Sequence, residues 1–419
     1  MREHVDASNE RLRAWHEADL EHTSAQLVRH GIDAGEVIDV VARFSVAAPS
    51  WALGTGGTRF GRFPGGGEPR TTEEKIDDIA ALNALTGANR SVSLHIPWDV
   101  PSDPPALRTF AADRGIAFDC MNSNTFQDQP GADVSYKFGS LAHTDPGMRK
   151  AAIEHNRYVI EVGRALGSRG LVVWLADGTN HPGQASLRGQ YERVLEGLQD
   201  IYASMPQDWT LYTEHKPYEP AFYSSVVADW GTSLMLAHAI GERAACIVDL
   251  GHHLPNTNVE QVVSRLLMAG RLGGFHFNDS VYGDDDLTTG SVTPYRLFLI
   301  FCELLEPGTL PDVAYMIDQS HNLKDPIEDL IGATDNIQMA LAQALCVDRD
   351  ALQDAQERND PAGAEAVLQR AFRTDVRPLV AEARRRNGAA IDPLDTFRAS
   401  GYRAAKIAER GEDATATGL

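Results

Sequence analysis

Cysteine is scarce in this chain: four residues are spread over 419 positions, and no two of them form a CxxC pair. They stand at Cys120, Cys246, Cys302 and Cys346. This spacing argues against a disulfide framework and against a cysteine-rich zinc site, because both need paired or clustered thiols. We expect the four side chains to be reduced and buried, as is typical of a cytoplasmic protein.

Positively charged residues are also few. The chain has 38 lysines and arginines but 59 aspartates and glutamates, which gives a formal net charge of −21. That balance argues against a nucleic-acid-binding surface and against binding to an anionic membrane, both of which need clustered positive charge. No apolar run approaches the length of a membrane span, and the N-terminal stretch lacks the hydrophobic core of a secretory signal. We therefore expect a cytoplasmic protein, and its acidic balance is compatible with a neutral substrate and with divalent cations.

The glycine-rich phosphate fingerprints GxGxxG and GxxxxGK are missing after the first predicted strand, which weakens the case for a doubly wound open sheet. Eight strand patterns instead alternate with helical patterns, such as the one at 222–240. This alternation predicts parallel β–α units that close into a (β/α)8 TIM barrel. The predicted strands lie at 44–54, 90–99, 116–124, 169–178, 208–216, 244–253, 273–279 and 312–320.

The barrel is predicted to occupy residues 44–325, between two helical segments. Residues 1–43 have apolar positions three and four apart and form the N-terminal helical segment. Residues 326–419 show helical patterns and no strands, so we expect a C-terminal helical extension that packs on the barrel or on a partner subunit. A glycine-rich loop at 54–70, which carries Phe60 and Phe63, is either a lid over its own or a neighbouring subunit's site, or a plain flexible connection.

The stretch that carries the most chemistry is FHFNDSVYGDDD at 275–286. Its alternating aromatics place His276 and Asn278 on one face of a strand, and the run then breaks into a glycine turn and three aspartates. Imidazole and carboxylates just past a strand end suit a divalent cation. A buried histidine beside a solvated acidic loop is the simpler alternative for this stretch alone.

Similar side chains end the neighbouring predicted strands, each about one strand–helix repeat apart. The carboxyl ends of barrel strands converge on one mouth, so side chains that are distant in sequence meet there. Each side chain has an ordinary structural role as its alternative, but four such coincidences at one mouth are improbable. The residues are Glu214 and Lys216 on the fifth strand, Asp249 and His252 on the sixth, His276 on the seventh and Asp318 on the eighth.

So many carboxylates in a partly dry site would repel one another, and divalent cations remove that repulsion. The additional presence of His252, Asp284 and Asp286 predicts a second cation, with Glu214 as the carboxylate that the two cations share. Mixed oxygen and histidine ligands fit Mn²⁺, Mg²⁺ or Co²⁺ better than a cysteine-rich zinc site. His253 in the run GHH and Asp285 in the run DDD remain alternative ligands to their neighbours.

At these residues the sequence resembles the L-rhamnose isomerase family, within the wider group of xylose-isomerase-like barrels. The resemblance covers most of the chain, and long stretches such as the one around His276 are far more specific than a short motif. The matching stretches are YTEHKPYEPAFY (212–223), VDLGHH (248–253), HFNDSVYGDDDLTTGS (276–291), YMIDQSHN (315–322), LHIPWD (94–99), DCMNSNTF (119–126) and AFRTDVRPLVAEAR (371–384).

The resemblance implies a homotetramer of barrel subunits that interconverts an aldose and a ketose with two divalent cations per subunit. Mn²⁺ is the implied metal, with Mg²⁺, Co²⁺ or Zn²⁺ as alternatives, and L-rhamnose with L-rhamnulose is the implied sugar pair within a broader range of aldoses. The structural cation is implied at Glu214, Asp249, His276 and Asp318, and the catalytic cation at His252, Asp284 and Asp286 with Glu214 shared.

For this chemistry we expect a catalytic set of Lys216, His95, Asp318 and Asp286. Lys216 is placed to stabilise negative charge on the sugar O1 atom. His95 is placed to assist ring opening as a general acid or base, because an unperturbed imidazole titrates near neutrality. Hydrogen transfer between C1 and C2 as a hydride, or as a proton through an enediol, is consistent with these groups.

Three aromatic residues at or beyond strand ends, Trp51, Phe126 and Trp174, are expected to stack on the sugar and exclude water. We expect His95, Lys216 and His252 to contact the sugar as well. Ordinary core packing is the alternative for each aromatic side chain.

Three other functions stay open. A metal-dependent hydrolase of the endonuclease IV type would use a similar barrel, but the chain lacks the basic groove that DNA binding needs. A ketose 3-epimerase, or another xylose-isomerase-like barrel enzyme, would use similar metal ligands. A non-catalytic sugar-binding barrel would bind a sugar without converting it.

Overall fold

Short parallel strands form the centre of the molecule, and helices surround them. The computed structural model describes residues 1–57, 61–129, 131–321 and 323–413. Its strands, in chain order, are β1 (Ala48–Pro49), β2 (Gly56–Gly57), β3 (Arg62–Phe63), β4 (Ser91–Ser93), β5 (His95–Ile96), β6 (Ala117–Phe118), β7 (Met121–Ser123), β8 (Gly170–Trp174), β9 (Gly178–Thr179), β10 (Thr210–Glu214), β11 (Ser224–Ser225), β12 (Ala244–Asp249), β13 (Leu272–Phe277) and β14 (Ala314–Ile317).

Eight parallel barrel strands close on themselves. β4 and β5 together form the second barrel strand, and β6 and β7 form the third. Parallel pairs run from β1 through β4 to β6, and from β5 through β7, β8, β10, β12 and β13 to β14. A parallel bridge between Ala47 and Met316 joins the last barrel strand to the first. The (β/α)8 barrel predicted from the alternation of patterns is therefore confirmed.

Helices precede, surround and follow the barrel. They are α1 (Arg2–Val28), α2 (Ala34–Arg43), α3 (Thr72–Thr86), α4 (Pro104–Ala112), α5 (Pro146–Leu166), α6 (Leu187–Ser204), α7 (Trp230–Ile240), α8 (Val259–Met268), α9 (Pro294–Leu304), α10 (Pro326–Leu345), α11 (Arg349–Glu357), α12 (Pro361–Phe372), α13 (Arg377–Arg386), α14 (Pro393–Ser400) and α15 (Tyr402–Arg410). A 3-10 turn, Ser50–Leu53, follows β1. Among the described residues, none of these helices is both long and apolar enough to span a membrane.

The helices α3 to α10 each follow one barrel strand in the chain. α10 packs against both α9 and α3, so the outer ring closes as the sheet does. The helical character predicted for residues 1–43 and for the chain beyond 326 is confirmed over the described residues. The division of the chain at 43/44 and 325/326 stays a prediction, and α10, the first helix after the second boundary, takes the eighth place in the ring.

Part of the acidic excess of the sequence is used to begin helices. Eight helices have an aspartate N-cap whose carboxylate accepts hydrogen bonds from backbone N–H groups of the first turn. Such a cap satisfies backbone donors that have no partner within the helix, and its negative charge faces the positive end of the helix dipole. As predicted from its capping box, α3 begins after Thr71, whose hydroxyl accepts from the Glu74 N–H at 3.2 Å.

The inside of the barrel is filled by side chains. Gly170 and Gly273 leave room for the Tyr212 ring, because a Cβ added to them would lie 2.7 Å and 2.6 Å from that ring. All four cysteines are buried and free, as predicted, and Cys120 is part of this interior layer. The layer consists of Ala47, Cys120, Val172, Ile247 and Met316, with Tyr212 and Ala314 packed against it.

The helix predicted at 222–240 is wrong in its first half. α7 begins only at Trp230, and the chain before it forms β11, which pairs with β9. The backbone N–H of Tyr223 donates to the Thr179 carbonyl at 3.0 Å, and that of Val226 donates to the Asp177 carbonyl at 2.8 Å. These cross-loop hydrogen bonds replace a first helical turn, which a periodicity argument does not reveal.

The glycine-rich loop at 54–70 is anchored at its far end by α15. The Gly67 N–H donates to the Gly411 carbonyl at 2.8 Å, and the Arg403 guanidinium donates to the Gly67 carbonyl at 3.0 Å. Phe63 lies in β3 and its side chain is exposed, whereas Phe60 lies outside the described residues. That this loop covers a site stays a prediction.

Candidate active site

A cavity of about 370 Å³ opens at the carboxyl ends of the barrel strands. Each of the eight barrel strands, or the loop after it, contributes to its wall, as expected where parallel strands converge on one mouth. Of the predicted site residues, all line this cavity except Asp249, which lies directly beside it. The lining residues are Trp51, His95, Trp98, Asn122, Ser123, Phe126, Gln127, Val172, Trp174, Glu214, Lys216, Glu219, Pro220, His252, His276, Asp284, Asp286 and Asp318.

Four of the predicted ligands form a tight cluster, here called the first ligand group. Glu214, Asp249, His276 and Asp318 each offer one ligand atom, and these atoms all lie within 4.8 Å of one another. The His276 Nδ1 atom is 2.9 Å from Glu214 Oε1, 3.7 Å from Asp249 Oδ2 and 3.3 Å from Asp318 Oδ2. A single imidazole N–H satisfies only one of these oxygens at a time, so the group fits a cation better than it fits a proton.

In two of these carboxylates, the oxygen that does not face His276 accepts hydrogen bonds from neighbouring groups of the protein. Asp249 Oδ1 accepts from the Gly251 N–H at 2.8 Å and from the Asn278 amide at 2.9 Å. Asp318 Oδ1 accepts from the Trp51 indole N–H at 2.7 Å. One oxygen of each carboxylate is therefore fixed, and the other faces the centre of the group. Hydrogen bonds of this kind orient the ligands in metal sites.

The remaining predicted ligands, His252, Asp284 and Asp286, form the second ligand group. His252 Nε2 is 3.0 Å from Asp284 Oδ1, and His252 Nδ1 is 3.3 Å from Glu214 Oε1. The same Glu214 oxygen thus faces an imidazole of each group, in the position of a shared ligand. The Lys216 ammonium contacts Asp284 and lies 4.9 Å from the centre of the Trp174 ring.

In the loop after β13, the backbone directs the three consecutive aspartate side chains, at 284–286, to different places. Asp284 and Asp286 have left-handed φ angles of 53° and 50°, which aspartate tolerates better than most residues. Both line the cavity. Asp285 instead accepts hydrogen bonds from the N–H groups of the three preceding loop residues, Val281, Tyr282 and Gly283. The alternation places the outer two carboxylates in the site and uses the middle one to hold the loop.

The two adjacent histidines also separate. His252 lines the cavity, while the ring of His253 lies 5.0 Å from that of His215, outside the residues that line it. The structure thus places the preferred histidine of the GHH run in the site.

Burial and mutual repulsion change the pKa values in both ligand groups. Burial raises the pKa of Asp318 to about 7, and burial together with the charges of Asp284 and Asp318 raises the pKa of Asp286 well above its ordinary value. Burial lowers the pKa of His276, but the carboxylates of Glu214, Asp318 and Asp249 together outweigh burial and raise it to about 9. Without a cation, the site therefore retains protons at neutral pH.

Aromatic rings form the wall opposite the acidic side chains. The His95 ring stacks on Trp98 with centroids 3.9 Å apart and meets Trp51 and Phe126 edge-on at 5.5 Å and 5.8 Å. The ring centroids of Phe126 and Trp174 lie 4.3 Å apart. The three predicted aromatic residues thus share one surface, large enough to cover an apolar face of a sugar.

The prediction of a near-neutral pKa for His95 is wrong. Burial lowers its pKa to about 3, so the imidazole is neutral at physiological pH. Among the described residues, its Nδ1 atom is buried without a hydrogen-bond partner. His95 can therefore donate or accept one hydrogen bond in the cavity, but it does not serve as a cationic acid.

A buried ion pair behind the aromatic wall was not predicted from the sequence. The Lys75 ammonium, on α3, donates to Asp99 Oδ1 at 2.5 Å, and both residues are at most 2% exposed. Asp99 Oδ2 accepts from the Ser50 hydroxyl at 2.5 Å and from the His95 backbone N–H at 2.9 Å. Ser50 directly precedes Trp51 in the chain. The Asp99 carboxylate therefore holds the chain beside one wall residue, Trp51, and the backbone of another, His95.

Seven of the lining residues were not predicted, among them Trp98 and Glu219. Trp98 lies at the end of a predicted strand, which is the signal that pointed to Trp51 and Trp174. Glu219 has a left-handed φ of 67°, and its carboxylate accepts from the Lys216 ammonium at 3.1 Å. Nothing in the local sequence indicates that backbone conformation.

Comparison with known proteins decides the family. The chain is 53% identical over 410 residues to a protein of Rhizobium meliloti (strain 1021) named probable sugar isomerase, and the match covers 97% of this chain and 95% of that protein. The chain belongs to this sugar isomerase family. No family model matches the sequence.

More distant similarity agrees with this assignment. The chain is 26% identical to a xylose isomerase of Thermus thermophilus over 278 residues, or 61% of this chain and 67% of the relative. It is 26% identical to an L-rhamnose isomerase of Rhodopirellula baltica over 235 residues, or 52% and 53% of the two chains. The structure of an L-ribulose 3-epimerase shares the fold, with a TM-score of 0.55 and 17% identity over 76% of this chain and 100% of that one. These similarities place the family among the xylose-isomerase-like barrels.

Replacing Lys75 with methionine tests the buried ion pair. The substitution leaves the Asp99 carboxylate buried without its cation, and breaking such a pair costs about 3–5 kcal/mol. We expect the free energy of unfolding in urea, followed by tryptophan fluorescence, to fall by about that amount. The exposed pair of Arg11 and Asp395 provides the control, because Arg11→Met should cost less than about 1 kcal/mol. Equal effects of the two substitutions would contradict a structural role for the buried pair.

Proposed function

We propose that this sugar isomerase is a metal-dependent aldose–ketose isomerase, with L-rhamnose and L-rhamnulose as its preferred pair among several aldoses. The observation that carries the proposal is the first ligand group, in which three carboxylates and one imidazole offer ligand atoms within 4.8 Å. The choice of L-rhamnose rests on the resemblance of the motifs around these residues to the L-rhamnose isomerase family.

Two divalent cations per subunit would complete the site. The first ligand group would hold one cation, the second ligand group would hold the other, and Glu214 would be shared. Ligands that are mainly carboxylate oxygens with one imidazole suit Mn²⁺, and also Mg²⁺ or Co²⁺. The buried charge supports this fit, because uncompensated carboxylates in one cavity are costly unless a cation neutralises them.

The bound cations would polarise the carbonyl of the open-chain sugar and lower the pKa of the adjacent hydroxyl. The Lys216 ammonium, only 2% exposed, supplies a fixed positive charge at the same cavity wall. In a site that excludes water, such a charge stabilises negative charge on a sugar oxygen more strongly than it does in water. Its contacts with Asp284 and Glu219 hold the ammonium in place.

His95 is proposed to guide ring opening as a neutral hydrogen-bonding group. Its stacking on Trp98 and the hydrogen bond from its backbone N–H to Asp99 fix the position of the ring. The neutral imidazole would orient the ring oxygen or the anomeric hydroxyl of the sugar. Trp51, Phe126 and Trp174 would cover the apolar face of the sugar and exclude water.

The homotetramer, the cytoplasmic location and the role of loop 54–70 as a lid remain predictions from the sequence. A ketose 3-epimerase would use the same kind of site, and only the identity of the product separates it from an isomerase.

A conversion assay tests the proposed function. Metal-stripped protein is incubated with L-rhamnose and a small panel of other aldoses, with and without Mn²⁺, and the products are separated by chromatography. We expect ketose to form only with metal, and fastest from L-rhamnose. If metal is bound but no aldose is converted, the same samples are given ketoses. Inversion at C3 would then assign the epimerase, and no reaction would leave a sugar-binding barrel.

Asp318→Asn tests the first ligand group. The amide keeps an oxygen for the Trp51 indole but removes the negative charge, so we expect one cation per subunit to be lost. Turnover should fall by more than about 100-fold, because metal-ion charge stabilisation is worth several kcal/mol. The fold should persist, since the substitution relieves repulsion in a crowded site. Asp312→Asn is the matched control, because Asp312 is exposed at the opposite end of the same barrel strand. Wild-type metal content and turnover in the Asp318 variant would remove Asp318 from the site.

Metal affinity should rise with pH. Metal ligands bind in their deprotonated form, whereas Asp318 and His276 have pKa values of about 7 and about 9 in the metal-free protein. Raising the pH from 6 to 8.5 therefore removes competing protons, and binding at low pH should release protons to the buffer. Calorimetric titration with Mn²⁺ in two buffers of different ionisation enthalpy measures both effects. An affinity that is constant over this range would contradict the assignment of these two ligands.

A further inference from the structure

A second, more polar pocket of about 270 Å³ lies directly outside the catalytic cavity. Phe126 and Pro220 line both spaces, so their side chains form the boundary between them. We call the second space the outer pocket. It contains none of the residues of the two ligand groups.

The outer pocket continues the catalytic cavity along three neighbouring loops. After the third barrel strand, Gln127 faces the cavity and Asp128 the outer pocket. At the end of the fourth strand, Trp174 faces the cavity, and in the loop that follows Asp177 faces the outer pocket. The loop after the fifth strand likewise passes from the cavity to the outer pocket at Pro220. A molecule that leaves the cavity on this side therefore enters the outer pocket.

The outer pocket lies across the mouth from most of the ligand atoms. Those atoms come from the ends of the fifth to eighth barrel strands, whereas the outer pocket is built on the loops after the third to fifth. A sugar whose reacting carbons lie at the ligand groups would thus direct its far end towards Phe126 and Pro220.

Hydrogen-bond donors line the outer pocket. Among the described residues, neither the Tyr136 hydroxyl nor the Asn180 amide nitrogen donates a hydrogen bond to the protein, and the Lys137 ammonium contacts only the face of Phe138, at 5.3 Å. The Asn180 side-chain oxygen is used, because it accepts from the Phe222 N–H at 2.9 Å. The wall therefore offers donors to a ligand that is rich in oxygen.

The charges of the outer pocket favour a neutral ligand over an anion. Asp177 accepts from the backbone N–H groups of Ser140 and Ala142, at 2.7 Å and 2.6 Å, and Asp128 accepts from the Tyr136 N–H at 2.6 Å. With two carboxyl groups beside the single ammonium of Lys137, the outer pocket has no net positive charge that would attract a phosphate or a carboxylate. Hydroxyl groups match both the free donors and the nearby acceptors.

We propose that the outer pocket binds the far end of the substrate as a neutral polyhydroxyl extension, such as a second sugar ring carried by the aldose. This inference rests on the proposed function, since it orients the substrate by its reacting carbons. The substrate class then includes glycosylated aldoses as well as free monosaccharides.

Paired probes test the inference. Glucose is compared with melibiose and maltose, which carry a second ring on O6 and O4, and with glucose 6-phosphate, which carries an anion instead. Binding to the metal-loaded protein is measured by calorimetry, and ketose formation is measured separately. We expect at least one disaccharide to bind more tightly than glucose, and the phosphate to bind more weakly.

Two variants locate the effect. Tyr136→Phe removes the hydroxyl and keeps the ring, while Asn180→Asp removes the amide donor and keeps the oxygen that accepts from Phe222. Each should weaken disaccharide binding by about 3- to 10-fold, as expected for one lost hydrogen bond. Neither should alter glucose binding or L-rhamnose turnover. Tyr158→Phe, the same chemical change on α5 away from both spaces, should alter nothing.

The outcomes separate the two proposals. Conversion of monosaccharides without tighter disaccharide binding would overturn the outer-pocket inference and leave the isomerase proposal intact. Tighter binding of glucose 6-phosphate, or disaccharide binding that does not respond to either variant, would overturn it as well. If no sugar were converted but a disaccharide bound in a manner sensitive to Tyr136 and Asn180, the isomerase proposal would fail and the outer pocket would stand as a sugar site.

Discussion

Electrostatic repulsion between carboxylates is the constraint that shapes the mouth of this barrel. Glu214, Asp249, Asp284, Asp286 and Asp318 approach one another in a largely buried space. Burial and the neighbouring negative charges raise the pKa of Asp249, Asp286 and Asp318. Two imidazoles and one ammonium offset part of this charge. The oxygen of Glu214 that lies between the two imidazoles joins the two ligand groups, so the position of this one carboxylate determines the geometry of both.

The fold supplies the rigidity that such a charge cluster needs. The carboxylates stand at the ends of paired parallel strands or on a loop held by Asp285, and the outward oxygens of Asp249 and Asp318 accept hydrogen bonds from backbone and indole N–H groups. The opposite wall is fixed from behind by the pair of Lys75 and Asp99. A sugar entering the cavity therefore meets charge on one side and aromatic faces on the other, both already in place. Preorganisation of this kind favours a reaction in which charge develops on sugar oxygens.

The barrel and the convergence of its ligands could be predicted from the sequence, because both follow from strand spacing and from the end of each strand at which side chains meet. The buried Lys75 could not, since it follows Glu73 and Glu74 on a helix, in the pattern of a solvated face. Nor could the left-handed backbone at Glu219, which has no signature in neighbouring residues. The pKa of His95 was misjudged because stacking and burial, unlike residue type, depend on the folded structure.

The most direct measurement is a crystal structure of the protein with Mn²⁺, with anomalous scattering used to locate the metal. Two anomalous peaks per chain are predicted, one in contact with Glu214, Asp249, His276 and Asp318, and the other in contact with His252 and the two cavity-facing aspartates. Both peaks should have Glu214 as a common ligand. A structure in which Mn²⁺ saturates the protein but leaves the first ligand group empty, or in which no metal contacts Glu214, would contradict the two-cation site and the isomerase chemistry built on it.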